Sequence, residues 1–77
     1  MVEVLFFAGL KEQAGTASVS MEAAGMTVKD LKAACKEAYP QINLDQVMTA
    51  INEEYARDDT CLQPGDRVAF IPPVSGG

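Results

Sequence analysis

The stretch "TVKDLKAACKEAYP", residues 27–40, is the clearest structural signal in the chain and predicts one well-formed helix. Thr27 is a favoured N-cap residue, and Asp30 three positions later completes a capping-box-like pair. Pro40 ends the helix, because the residue before a proline disfavours helical backbone angles. The apolar positions recur at helical spacing and predict a single buried stripe, formed by Val28, Leu31, Cys35 and Ala38.

Strand candidates, rich in β-branched and aromatic residues, lie on both sides of this helix. Residues 9–15 predict a short helical turn that ends at Gly15. Strands on both sides of one helix indicate an α+β fold with a mixed sheet. The predicted strands are residues 1–8 and 16–22 before the helix, and residues 47–52, a very short strand within 53–60, and residues 67–71 after it.

Length and charge limit the class of protein. A chain of 77 residues predicts one domain, 1–77, with no room for a second. The net charge of −5 argues against a nucleic-acid partner, because binding to phosphates requires a basic face. No apolar run approaches the roughly 18–20 residues that a membrane span needs, so we expect no membrane partner.

Two cysteines and the absence of histidine limit the chemistry of any site. Cys35 and Cys61 form no CxxC pair, so we expect no metal and no stably bound cofactor. Free thiols without a recognisable signal peptide predict a reducing, cytoplasmic location. Cys35 falls on the buried helical stripe, where a small apolar residue is expected, and neither thiol is predicted to take part in chemistry.

The ending "PPVSGG", residues 72–77, predicts an extended tail after the last strand. Pro72 and Pro73 favour a polyproline-like segment because proline fixes φ at about −65°. Gly76 and Gly77 carry no side chain, so they suit a narrow channel and accept whatever backbone angles an active site imposes. A terminal Gly-Gly also occurs by accident, and alone it is weak evidence.

Both ends of the chain carry a family resemblance. The stretches "VLFFAGLKEQAGT" (4–16) and "GDRVAFIPPVSGG" (65–77) closely resemble the small, sulfur-carrying subunits of molybdopterin synthases. Length and element order also match, whereas residues 40–60 are generic. The resemblance implies the β-grasp fold of ubiquitin, in which the first and last strands lie parallel at the centre of the sheet that grips the helix.

The resemblance also implies a mechanism centred on Gly77. A ubiquitin-activating-like adenylyltransferase would use ATP to convert the Gly77 carboxylate to an acyl-adenylate, and a sulfur donor protein would then convert it to a thiocarboxylate. The tail, through Val74, Ser75 and Gly76, would enter the large synthase subunit and give its sulfur to a pyranopterin precursor. The family forms heterotetramers of two small and two large subunits.

On that topology, several apolar residues lie on the sheet face away from the helix. A contiguous apolar patch on a small protein usually marks a partner site. The alternative is that the 9–15 segment or the 55–62 loop covers these residues. The predicted contacts to the large subunit and to the adenylating enzyme are Phe7 and Ile71, with Leu5, Ala69, Tyr55 and Leu62.

Other functions remain open at this point. The acidic residues Glu53, Glu54, Asp58 and Asp59 predict a solvated loop, with steering toward a basic partner as the alternative. The same Gly77 chemistry would serve thiamine biosynthesis or tRNA thiolation. A ubiquitin-like modifier would join Gly77 to lysines of other proteins, and a plain binding module would not need Gly77.

Overall fold

The computed structural model describes residues 1–72, and within them the elements follow the predicted order. They are β1 (Val2–Phe6), α1 (Gly9–Ala14), β2 (Ser18–Met21), α2 (Val28–Ala38), β3 (Met48–Ile51), β4 (Glu54–Ala56) and β5 (Arg67–Ile71). The described strands form a five-stranded sheet in the order β2-β1-β5-β3-β4. β1 and β5 pair in parallel, whereas the other neighbouring strands are antiparallel. The predicted mixed sheet, with the first and last strands at its centre, is confirmed.

A reciprocal cap begins α2, as the sequence predicts. The Asp30 backbone N–H donates to Thr27 Oγ1 at 3.2 Å, and the Thr27 N–H donates to Asp30 Oδ2 at 3.4 Å. These bonds satisfy donors that a helix start would otherwise leave without partners. The helix therefore starts at a fixed residue, and this fixes which of its side chains face the sheet.

The core lies between α2 and one face of the sheet. Val28, Leu31 and Cys35 are buried on α2, as predicted. Ala38 is exposed, which corrects its predicted place in the stripe. It is the last helical residue, and Tyr39 beyond it packs on the core instead. The core side chains supplied by the two central strands alternate along each strand: Val2, Val4, Phe6, Val68 and Phe70.

Residues 60–62 are fastened to the start of α2 by backbone hydrogen bonds. The Leu62 N–H donates to the Met26 carbonyl at 2.7 Å, and the Gly25 N–H donates to the Leu62 carbonyl at 2.8 Å. These bonds hold Leu62 against the core, where its side chain is 2% exposed. The prediction that Leu62 contacts a partner is therefore wrong, because this loop turns the side chain inward.

Candidate functional site

The face of the sheet opposite α2, called the outer face below, carries a row of side chains that crosses four strands. The register pairs Leu5 with Ala69, and Ala69 with Ala50. It also pairs Ala50 with Tyr55. Directly opposed residues in a sheet point to the same face. The row therefore has two small residues at its centre and a larger one at each end.

This row forms part of an open groove with a volume of about 370 Å³. Five of the six predicted partner contacts lie together along it. Phe7 is 46% exposed and Tyr55 is 73% exposed, so neither the 9–15 segment nor the 55–62 loop covers these side chains. The lining residues are Leu5, Phe7, Ala50, Glu53, Tyr55, Arg67, Ala69 and Ile71.

Two residues of β3 belong to this surface and were missed by the sequence analysis. Ala50 forms part of the groove floor. Met48 lies opposite Ile71 in the register and is 45% exposed. The alternation within β3 separates these two from Thr49, which is buried. In a strand of only four residues, the face of the sheet to which each side chain points is known only once the pairing with β5 is known.

Polar side chains close the end of the groove away from Ile71. Arg67 Nε donates to Glu3 Oε1 at 2.9 Å. The Arg67 backbone N–H donates to Asn52 Oδ1 at 3.0 Å, and Asn52 Nδ2 donates to Asp66 Oδ1 at 3.0 Å. These bonds tie the turn between β3 and β4 to the start of β5, so this end of the groove has a fixed shape.

The turn between β3 and β4 places an acidic side chain at the groove. Asn52 and Glu53 have φ values of 51° and 72°. Positive φ at both central residues is the requirement of a two-residue type I′ hairpin turn. Glu53 lines the groove, whereas its neighbour Glu54 lines a separate depression beside Cys61. Adjacent carboxylates thus belong to different surfaces.

The remaining acidic candidates lie away from the groove. Asp58 and Asp59 are exposed, and Asp58 Oδ1 accepts from Lys32 Nζ of α2 at 2.8 Å. This ion pair ties the 56–60 segment to the helix. Asp58 therefore contacts the helix of its own chain, and neither aspartate lines the groove.

The two cysteines differ in their surroundings. Burial raises the pKa of Cys35 from 9.0 to about 11, because desolvation disfavours the thiolate. Its Sγ lies 3.6 Å from Met21 Sδ inside the core. Cys61 is exposed, and it pairs with Thr27 in an isolated bridge. Cys35 therefore has the environment of an unreactive core residue.

The predicted sulfur-carrying residue Gly77, with Gly76, Ser75 and Val74, lies outside the described residues. The structure shows where β5 ends, at Ile71 beside Phe7 and Met48 on the outer face. Among residues 1–72, no group of three His, Cys, Asp or Glu side chains is placed to hold a metal ion. In the same part of the chain, no helix is long and apolar enough to cross a membrane.

A mixed sheet that grips one helix, with its first and last strands parallel at the centre, defines a ubiquitin-like β-grasp protein. Residues 4–77 match the sequence model of the ThiS family, and the chain belongs to this family. It is 42% identical to the molybdopterin synthase sulfur carrier subunit of Chlamydomonas reinhardtii, over 99% of this chain and 98% of that one.

Two solved structures are similar over almost the whole chain. One is a putative molybdopterin converting factor subunit 1 from Pyrococcus furiosus, with 30% identity and a TM-score of 0.84, covering 95% of this chain and 97% of that one. The other is a chain in the protein–protein complex of subunits 1 and 2 of the molybdopterin-converting factor from Helicobacter pylori. It has 28% identity and a TM-score of 0.71, covering 99% of this chain and 97% of that one.

Proposed function

We propose that this chain is the sulfur-carrier subunit of a molybdopterin synthase. The observation that carries this proposal is the similarity, over 99% of the chain at 42% identity, to a protein with that function. The exposed apolar groove supports it independently, because a carrier must be recognised by other proteins before its tail can react.

The proposed chemistry takes place at Gly77. A partner adenylyltransferase joins the Gly77 carboxylate to the AMP portion of ATP and releases pyrophosphate. The outer sulfur of a persulfide on a sulfur donor protein then attacks the acyl carbon, and AMP leaves, which gives an acyl disulfide. A second thiol reduces the S–S bond of this acyl disulfide, so that a thiocarboxylate remains on Gly77 and the donor cysteine forms a disulfide with that thiol. Two glycines suit this step because no Cβ obstructs the reacting carbon.

In the second stage, the thiocarboxylate sulfur attacks a carbon of a pyranopterin precursor inside the large synthase subunit, and an oxygen substituent of that carbon leaves. Hydrolysis of the resulting thioester leaves the sulfur on the pterin and regenerates the Gly77 carboxylate. A second carrier repeats the step and completes the dithiolene. The groups that activate the precursor and the water belong to the partner in this scheme, and this chain supplies the sulfur and the docking surface. In this scheme the enzymatic activity therefore belongs to the complex of the carrier and the large subunit.

The outer face is the proposed docking surface for the large subunit. The Helicobacter pylori relative was solved as a complex of subunits 1 and 2, which supports such a partner. We place the adenylyltransferase on the same face, so the two partners bind in turn. The working assembly would contain two carriers and two large subunits, in the cytoplasm.

The mass of the tail peptide tests the chemistry directly. Tryptic cleavage after Arg67 releases Val68–Gly77, which contains neither methionine nor cysteine, so oxidation of those residues cannot imitate an exchange of oxygen for sulfur. Protein purified from its native host should contain this peptide with sulfur at Gly77. Finding only the free carboxylate while the activating enzyme and donor are abundant would contradict the proposal. Isopeptide-linked adducts would instead indicate a protein modifier.

Phe7→Glu tests the docking surface. Phe7 is 46% exposed at the groove, so a charge there should leave the fold intact and weaken the complex with the large subunit at least tenfold. Calorimetric titration measures the affinity, and thermal unfolding of the same sample measures the fold. Unfolding of the variant would show that Phe7 is part of the core.

A further inference from the structure

The floor of the outer-face groove is made of two alanines side by side. Ala69 and Ala50 are paired in the register and lie between the taller side chains of Leu5 and Tyr55. The groove is therefore concave because its central residues are small. A concave apolar surface accepts a protruding side chain, and a flat partner surface would leave it unfilled.

At the Arg67 end of the groove, the charged side chains sum to a negative charge. Arg67 carries the positive charge in the lining, and its guanidinium already donates to Glu3. Within residues 1–72, the Glu53 carboxylate at the groove is in neither of the two ion pairs, Lys32–Asp58 and Arg67–Glu3. Counting Glu3, Glu53 and Arg67 leaves one net negative charge, and the whole chain carries −5. A partner side chain that enters here is favoured if a basic group accompanies it.

We propose that the groove receives one large apolar side chain of the large synthase subunit, and that Glu53 pairs with a lysine or arginine beside that side chain. This inference rests on the proposed function and specifies how the docking surface recognises its partner. Ala69 determines specificity by being small, and Glu53 determines it by its charge. The remaining apolar contacts exclude water around this point.

Filling the groove tests the first half of the proposal. Ala69→Leu places a larger side chain on the floor, where it extends toward solvent and away from the core. Ala33→Leu makes the same chemical change on the exposed side of α2 and serves as the matched control. With the separately purified large subunit as the probe, Ala69→Leu should bind at least tenfold more weakly than the unmodified chain. Ala33→Leu should bind equally well.

Glu53→Gln tests the second half without adding bulk. Glu54→Gln is its matched control, because it removes the same charge from the adjacent residue outside the groove. At low ionic strength Glu53→Gln should weaken binding about threefold to tenfold, and this difference should shrink as salt is added. Glu54→Gln should have a smaller effect. Because this variant changes only a carboxylate to an amide on an exposed turn, it remains informative even if Ala69→Leu folds poorly.

The outcomes separate this inference from the proposed function. If the unmodified chain binds the large subunit and Ala69→Leu, folded as judged by thermal unfolding, binds equally well, the groove is not the docking point and the inference fails. Equal losses of affinity for Glu53→Gln and Glu54→Gln would show general charge steering. They would overturn the proposed ion pair between Glu53 and a basic side chain of the large subunit. If the unmodified chain neither binds the large subunit nor acquires sulfur at Gly77, the proposed function fails.

Discussion

Thr49 offers a quantitative test of how the sheet is packed. It lies on β3 between Phe70 and Ala56 in the register and is 4% exposed. Among the described residues, its Oγ1 has no hydrogen-bond partner. A buried polar group without a partner costs about 1–3 kcal/mol. Valine has nearly the same shape and no such group, so Thr49→Val should raise the free energy of unfolding by about 1 kcal/mol.

Urea unfolding measures this change directly. For a domain of this size, 1 kcal/mol corresponds to a rise in Tm of roughly 4–8 °C. The dependence of the unfolding free energy on urea should be unchanged, because the same surface is exposed in both proteins. Thr60→Val is the matched control: Thr60 Oγ1 accepts from the Arg57 N–H at 3.2 Å, so its loss should destabilise by about 0.5–1.5 kcal/mol.

A different result is expected if the Thr49 hydroxyl already has a hydrogen-bond partner. If Thr49→Val is neutral or destabilising while the urea dependence is unchanged, the hydroxyl is already satisfied, for example by an ordered water. The buried side of β3 would then include a hydrogen bond of the Thr49 hydroxyl in addition to its contacts with protein atoms. The Thr60→Val control would still give the ordinary loss of unfolding free energy for a threonine hydroxyl that has a hydrogen-bond partner.

Two further predictions concern the core. Leu62→Ala should destabilise the protein by about 2–5 kcal/mol, measured by urea unfolding, because Leu62 is buried. A change below about 1 kcal/mol would show that the Leu62 side chain is not part of the core. The raised pKa of Cys35 means that the folded thiol remains neutral where the unfolded thiol ionises, so stability falls as pH rises from about 9 toward 11. Unfolding of Cys35→Ala across this range should show a smaller decline, and an identical decline would assign the effect to other groups.

Local sequence patterns predicted the elements better than their ends. The cap at Thr27 and the strand 67–71 are where the sequence places them, because capping and alternation depend on adjacent residues. The first strand was predicted to run to Ala8 but ends at Phe6. Ala8 has a φ of 52°, which is unusual for a residue with a side chain and incompatible with continuing the strand. The residue types around Ala8 do not predict this backbone conformation.

The errors at the candidate site have a different cause. Leu62 was predicted to join the apolar face away from the helix, yet backbone hydrogen bonds to Gly25 and Met26 hold it where its side chain is buried. Ala50 and Met48 were missed because the pairing of β3 with β5 decides which face they share with Ile71. Both errors concern contacts between residues far apart in sequence. The apolar face of β1 and β5 was predictable because the resemblance supplied that pairing.

The position of the groove limits where the chemistry of a partner can lie. β5 is paired with β1 on one side and with β3 on the other, so the strand that leads to the tail is an interior strand of the sheet. Five residues follow Pro72 up to Gly77, and they reach at most roughly 16–18 Å when fully extended. In the proposed function, a partner that binds the groove must therefore place its reacting group within that distance of Pro72. Docking then raises the local concentration of the Gly77 carboxylate at that group. Weakening the groove should lower the rate of sulfur transfer at limiting carrier concentration more than the rate at saturation.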